Sequence, residues 1–188
     1  MKTSSLLLVG LLAIGCRQQS PAQAPSSTDL AEPSRATVHA AATVLADAFE
    51  PGERMEFWGR VLDYQGRPLP EAAIVAYQTD ATGLYNPPEA NTRVPRLRAV
   101  AVTEENGGFR FSTIRPGPYP GGGNPQHIHL TITAPAHRFR YVTYWFDDDP
   151  LVTPERRSHL GDETVIVALS QDENGTWTFS LDIRLLGN

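Results

Sequence analysis

The chain has 188 residues, 40% hydrophobic and 20% charged, with 15 Gly, 16 Pro and one Cys. That is enough for one globular core and lies outside the ranges of disordered, collagen-like and disulfide-built chains. The only Lys and Cys are Lys2 and Cys16, so the rest of the chain offers no catalytic Cys, thiolate metal site, Schiff-base Lys or P-loop, and its 15 Arg against 21 Asp and Glu argue against nucleic acid as a partner.

Residues 1–16 place Lys2 before an apolar run from Leu6 to Ile14 and end in Gly15-Cys16. A charged start, a run too short to span a bilayer and a small residue before cysteine describe an export signal. Leu12-Ala13-Ile14-Gly15-Cys16 resembles a bacterial lipobox, with Ala13 where Leu is commoner. The expectation is an exported protein of the cell envelope, anchored to the membrane by acyl chains on Cys16. The alternative is a cleaved signal and a periplasmic or secreted protein. Residues 17–36, rich in Ser, Pro, Gln and Ala, read as a flexible tether. The domain is expected over 37–188. It opens with one short helix over 37–49, ended by Pro51-Gly52, with His39 in solvent.

From Met55 the pattern becomes short alternating segments punctuated by Gly, Pro and Asn. Met55 to Asp63 alternates, and Ala72 to Gln78 is a continuous apolar run suited to a central strand. Arg98–Thr103 and Phe109–Ser112 flank Asn106-Gly107-Gly108 as a hairpin. Val165–Leu169 and Trp177–Leu185 flank Asn174-Gly175 as a second, and in the latter Trp177, Phe179, Leu181, Ile183 and Leu185 take one face. About eight mostly antiparallel strands at this spacing predict an all-β sandwich.

The chemistry concentrates in the stretch from Pro116 to Thr133. Alternation over 127–132 puts His127 and His129 on one face and Ile128, Leu130 and Ile132 on the other. Two His at i, i+2 reach one metal ion, although such pairs also serve simply as a polar strand face. The neighbourhood supplies no thiolate or third His, but it supplies Tyr119 in a Pro-Gly-rich loop and Tyr85 after the central strand. Both phenols would otherwise be loop packing. A hard trivalent cation deprotonates a phenol well below its ordinary pKa, and two phenolates with two imidazoles suit Fe(III) better than zinc or copper. His137 and His159 lie in polar loops, and Asp147-Asp148-Asp149 reads as an acidic surface turn.

From Phe57 to Leu151 these residues resemble the intradiol ring-cleavage dioxygenases, the protocatechuate and catechol dioxygenase group. The resemblance rests on Gly59 to Leu69, on Ala73 to Tyr85, and on Thr103 to Pro120 with its Phe-x-Thr-x-x-Pro-Gly-x-Tyr segment. It continues through Pro125-Gln126-His127-Ile128-His129 and Tyr144 to Leu151. It implies a β-sandwich that holds a non-haem Fe(III) through Tyr85, Tyr119, His127 and His129. It further implies cleavage of a catechol-type diol by O2 to a muconate-type diacid, with Tyr119 the ligand the diol displaces and the iron serving as Lewis acid and template.

Two positions depart from the family pattern. Asn124 stands where Arg is usual three residues before the first His, at a place implied to act on the substrate, and it offers a hydrogen bond without charge. Thr143 stands where Gln is usual. Arg115, Arg138 and Arg140 could replace the lost charge only if the fold brings them in, and each reads first as an exposed sheet or loop residue. These departures favour a rival from another class, a non-catalytic envelope binding module resembling transthyretin-like surface domains. The conjunction of Tyr85, Tyr119 and His-x-His favours the enzyme. Neither reading fixes the oligomeric state.

Overall fold

Alternation along the chain produces two packed sheets. The computed structural model describes Val38 and residues 40–188. The expected signal with Cys16, the tether and His39 lie outside the described residues. The first sheet contains β1 (Thr43–Val44), β2 (Arg54–Asp63), β5 (Gly108–Ile114), β9 (Ser170–Gln171) and β10 (Trp177–Ser180) in the order β1-β5-β2-β10-β9, with β11 (Ile183–Leu185) also on β2. The second contains β3 (Ala73–Gln78), β4 (Leu97–Val102), β6 (His127–Thr133), β7 (Arg140–Phe146) and β8 (Thr164–Val167) in the order β4-β3-β6-β7-β8. The five-residue α1 (Pro154–Ser158) is the one helix among the described residues, and none is long and apolar enough to cross a membrane.

The core fills the space between the sheets. From the first sheet Phe57 stacks on Phe111 and on Phe179, each at 5.1 Å between ring centroids. From the second, Ile74, Ala76, Ile128, Leu130, Ile132, Val142, Tyr144 and Phe146 close the same cluster, all but unexposed. Each large side chain so buried contributes about 1.5–3 kcal/mol. The predicted sandwich is therefore the observed architecture. Eight strands have four residues or more, and β1, β9 and β11 add three shorter pieces.

Three local expectations are corrected. The described part of 37–49 forms no helix. Its β-branched pair Thr43–Val44 joins Phe111 and Ser112 in parallel, and Leu45 and Ala46 are buried. The turn at Asn106-Gly107-Gly108 exists, with Gly107 N–H donating to Glu104 O at 2.8 Å, but it does not make a hairpin. β4 pairs with β3 and β5 pairs with β2, so the chain changes sheets there. At Asn174-Gly175 the hairpin partner of β10 is the two-residue β9, whereas Thr164–Val167 runs parallel to β7 in the other sheet. Trp177–Leu185 keeps one register on β2 but is interrupted at Leu181-Asp182, where the Asp182 carboxylate accepts the Arg60 N–H at 3.0 Å. A local turn signal cannot distinguish a hairpin from a crossing between sheets, because tertiary packing selects the partner.

Candidate metal centre

Two loops leave the same end of the sandwich, one after β3 carrying Tyr85 and one after β5 carrying Tyr119. Their bases are tied by Gln78, wholly buried. Its Nε2 donates to Ile114 O at 2.8 Å and to Thr79 O at 3.2 Å, and its Oε1 accepts from Thr113 Oγ1 at 2.9 Å. Thr79 Oγ1 then donates to Gly117 O at 3.0 Å and Gly117 N–H to Asp80 O at 2.8 Å. Further out the loops meet backbone to backbone. A Cβ on Gly83, two residues before Tyr85, would stand 1.9 Å from Pro118 O. One on Gly117, two residues before Tyr119, would stand 2.3 Å from Ala81 O. Glycine at both places lets the two phenols approach each other.

Charged groups brace this frame. Asp80 Oδ1 accepts from Thr82 N, Thr82 Oγ1 and Leu84 N at 2.7–3.1 Å, and Arg96 bridges Asp80 to Glu50. Burial alone would raise the Asp80 pKa, but these donors outweigh it and hold the carboxyl below its ordinary range. On the other side the buried Asp149 accepts from Gln126 N and Leu151 N, each at 2.8 Å, fixing the chain where it enters β6.

On β6 the Ile128, Leu130 and Ile132 side chains fill the core, so His127 and His129 face away from it. Tyr85 Oη and Tyr119 Oη lie 2.8 Å apart. Tyr119 Oη is 3.1 Å from His127 Nε2, and Tyr85 Oη is 3.0 Å from His129 Nε2 and 3.5 Å from His127 Nε2. All four residues named from the sequence are thus brought to one point. Both imidazoles turn Nε2 inward and Nδ1 outward. His127 Nδ1 lies 2.6 Å from Pro125 O, while His129 Nδ1 meets Tyr141 Oη at 2.5 Å and Thr143 Oγ1 at 3.1 Å. A proton on Nδ1 leaves the Nε2 lone pair facing the phenols.

Burial sets the electrostatics. It lowers the His127 pKa, and for His129 burial and the neighbouring His127 charge push it down to about 4. Both shifts favour the neutral ring, the form that metal ligation requires. Burial, then the hydrogen bond with Tyr119, raises Tyr85 above the ordinary phenol value, so its ionisation calls for a cation. The spacing fits one. Donors ~2.0–2.1 Å from a first-row metal and 90–120° apart sit about 2.9–3.6 Å from each other, against the 2.8–3.5 Å observed. Among the described residues no three His, Cys, Asp or Glu side chains gather to hold a metal by themselves, so an ion held here is held through phenols.

The remaining sequence candidates lie elsewhere. Asn124 is exposed on the Gly-rich loop and makes no hydrogen bond to the cluster among the described residues. Arg115 bonds Gln126 and Asp148 and lies over the Trp177 ring at 5.0 Å, and Arg140 donates to Arg184 O. Arg138 is exposed. None of the three bonds the cluster, and the Asp147–Asp149 turn is consumed by Arg157, Arg115 and the Asp149 bonds above. Sequence reasoning missed Tyr77 and Tyr141. Tyr77 is the cross-strand partner of His129, and Tyr141 shares a strand face with Thr143, its other partner. Register would have exposed both, but register is not visible in one sequence.

A family model described as "Dioxygenase" matches residues 31–187. The chain belongs to the intradiol ring-cleavage dioxygenase family. Its relatives in the family include chlorocatechol 1,2-dioxygenase of Rhodococcus opacus, 32% identical over 72% of this chain and 60% of the relative. The protocatechuate 3,4-dioxygenase beta chain of Burkholderia cepacia is 35% identical over 54% of this chain and 48% of the relative. The chain thus spans about half the length of these curated relatives. In fold it is similar to the dioxygenase domain of a dioxygenase and carbohydrate-binding protein fusion from Streptomyces sp. SirexAA-E. That domain aligns with a TM-score of 0.65 and 21% identity over 90% of this chain and all of that one. The 3-chlorocatechol 1,2-dioxygenase of Rhodococcus opacus 1CP gives 0.62 and 22% over 76% and 63%.

Proposed function

We propose that the protein is an intradiol ring-cleaving dioxygenase that uses Fe(III) to open a catechol-type aromatic diol with O2. The observation that carries this reading is the convergence of two phenol oxygens and two imidazole Nε2 atoms, joined by four contacts of 2.8–3.5 Å, in a chain of this family. The relatives' names, chlorocatechol, protocatechuate and hydroxyquinol dioxygenase, give the substrate class.

Tyr85, Tyr119, His127 and His129 would hold the iron, which supplies Lewis acidity and a template for diol and oxygen. The protein's part is positioning. The Gln78 bridge and the paired glycines hold the two phenols together, and the Nδ1 contacts hold both Nε2 lone pairs inward. Tyr119 is the ligand assigned to leave. Tyr119 is half-buried on a loop whose following residues are exposed, and on leaving as a phenolate its Oη would take a proton from an incoming diol hydroxyl. Asn124 is exposed on that loop, and in the place where the family usually has Arg it would bring the substrate a hydrogen bond without charge. Export, with Cys16 as lipid anchor, belongs to the same proposal and rests on residues 1–16.

The test is iron loading of the purified protein under air. One iron per chain is expected, with a red to purple tyrosinate-to-iron band that shifts on adding catechol and oxygen uptake that follows. Tyr85→Phe and Tyr119→Phe should each weaken the band. A colourless protein that takes up no iron would end this reading and leave the envelope binding module.

A further inference from the structure

The two imidazoles are held in different ways. The Nδ1 of His127 is fixed by a backbone carbonyl, Pro125 O, which no substitution removes. The Nδ1 of His129 is fixed by side chains alone, Tyr141 Oη at 2.5 Å and Thr143 Oγ1 at 3.1 Å. Tyr141 Oη in turn lies 3.3 Å from Tyr77 Oη. The His129 ring also lies against both phenols, 4.8 Å from Tyr77 at 33° and 5.5 Å from Tyr141 at 25° between ring centroids and planes.

We propose that Tyr141, backed by Tyr77, is a positioning residue that fixes the tautomer, the ring plane and the donor strength of His129. The proposal rests on the reading above that His129 Nε2 is a metal ligand. The hydrogens run in one direction: His129 Nδ1–H donates to Tyr141 Oη, and the Tyr141 hydroxyl donates to Tyr77 Oη. A hydroxyl that is itself donating is a better acceptor, so the Tyr77 contact strengthens the pull on the imidazole proton. Drawing that proton outward raises the electron density at Nε2. Outer partners of this kind orient a ligating His and raise its basicity, and removing one costs about 10- to 100-fold in metal affinity. Thr143 offers the same proton a longer contact, so it is the secondary acceptor.

The test compares wild type with Tyr141→Phe, Thr143→Val and Tyr77→Phe. Phenylalanine keeps the ring packing, and thermal melts check that each variant folds. In metal-free wild type, imidazole 15N shifts should show His129 protonated at Nδ1, and Tyr141→Phe should shift that signal. With iron bound, Tyr141→Phe should weaken affinity against a competing chelator by about tenfold. It should also move the phenolate-to-iron band to longer wavelength, because a poorer imidazole donor leaves a more electron-demanding metal. Thr143→Val should stay within about threefold of wild type and Tyr77→Phe should fall between the two. The proposal is overturned if His129 is protonated at Nε2 in the wild type. It is equally overturned if Tyr141→Phe matches wild type in affinity and band position, or if Thr143→Val carries the loss. A wild type that binds no iron ends the dioxygenase reading instead, and the 15N measurement still decides the tautomer.

Discussion

Gly117→Ala isolates the contact that brings the two tyrosine loops together. The added Cβ would lie 2.3 Å from Ala81 O and 2.7 Å from Gly83 N, whereas real Cβ contacts essentially never fall below 3.0 Å. The neighbours are backbone and cannot swing aside, so one loop must retreat by about 0.7 Å or more. That movement loosens the Gly117 N–H bond to Asp80 O and the Thr79 bond to Gly117 O. Overpacking of this kind costs ~1–3 kcal/mol and a weakened hydrogen bond adds about 1. A total of about 2–4 kcal/mol lowers the melting temperature by roughly 5–15 °C in a domain of this size. The effect on metal should be larger in proportion, since ligand distances tolerate about 0.2 Å and Tyr119 rides on the displaced loop. Calorimetry and the visible spectrum of the iron-loaded variant measure the two effects. Gly121→Ala is the control: its Cβ meets nothing within 4 Å, and its melt should stay within about 0.5 kcal/mol of wild type. If Gly117→Ala melts like the control and keeps the band, the loops are not held apart or together by that contact and the reasoning fails.

Gln78→Leu should destabilise the protein by about 2–4 kcal/mol in urea titrations, because Thr113 Oγ1 and Ile114 O lose their buried partner. A cost below about 0.5 kcal/mol would show that these groups find other partners. Asp80→Asn tests the charged brace under the Tyr85 loop. The folded Asp80 pKa lies below its unfolded value near 4, so its ionised form stabilises fully above that pH and the contribution is lost as pH falls through the folded value. The variant should be about 1–3 kcal/mol weaker at pH 7, and the gap should close toward pH 2. An equal gap at both would place the effect in packing rather than charge.

What was legible in the sequence followed period and composition. The two-residue alternation of Ile128, Leu130 and Ile132 against His127 and His129 gave both the core face and the imidazole pair, because strand geometry dictates it locally. The order of Tyr85, Tyr119 and His-x-His carried the family. What stayed hidden was everything set by which strand lies beside which. The Asn106-Gly107 turn joins strands of different sheets, and Tyr77 and Tyr141 reach His129 only through the register of β3 and β7 against β6. Likewise Asn124 could be placed in a loop but not toward or away from the cluster. Loop direction depends on contacts such as the Gly83 and Gly117 approaches, which no local pattern announces.

The phenols and imidazoles gather on the outside of the second sheet, while Phe57, Phe111, Phe179 and their partners close the interior without them. The scaffold and its chemistry are therefore separable tenants of one chain. A zinc finger without its ion has no interior left, whereas the core cluster of this sandwich contains none of the four donors. Asn124 and the donors themselves stand outside the layer of side chains that closes the core. An architecture of this kind can keep its frame while the donor set on its outer face changes.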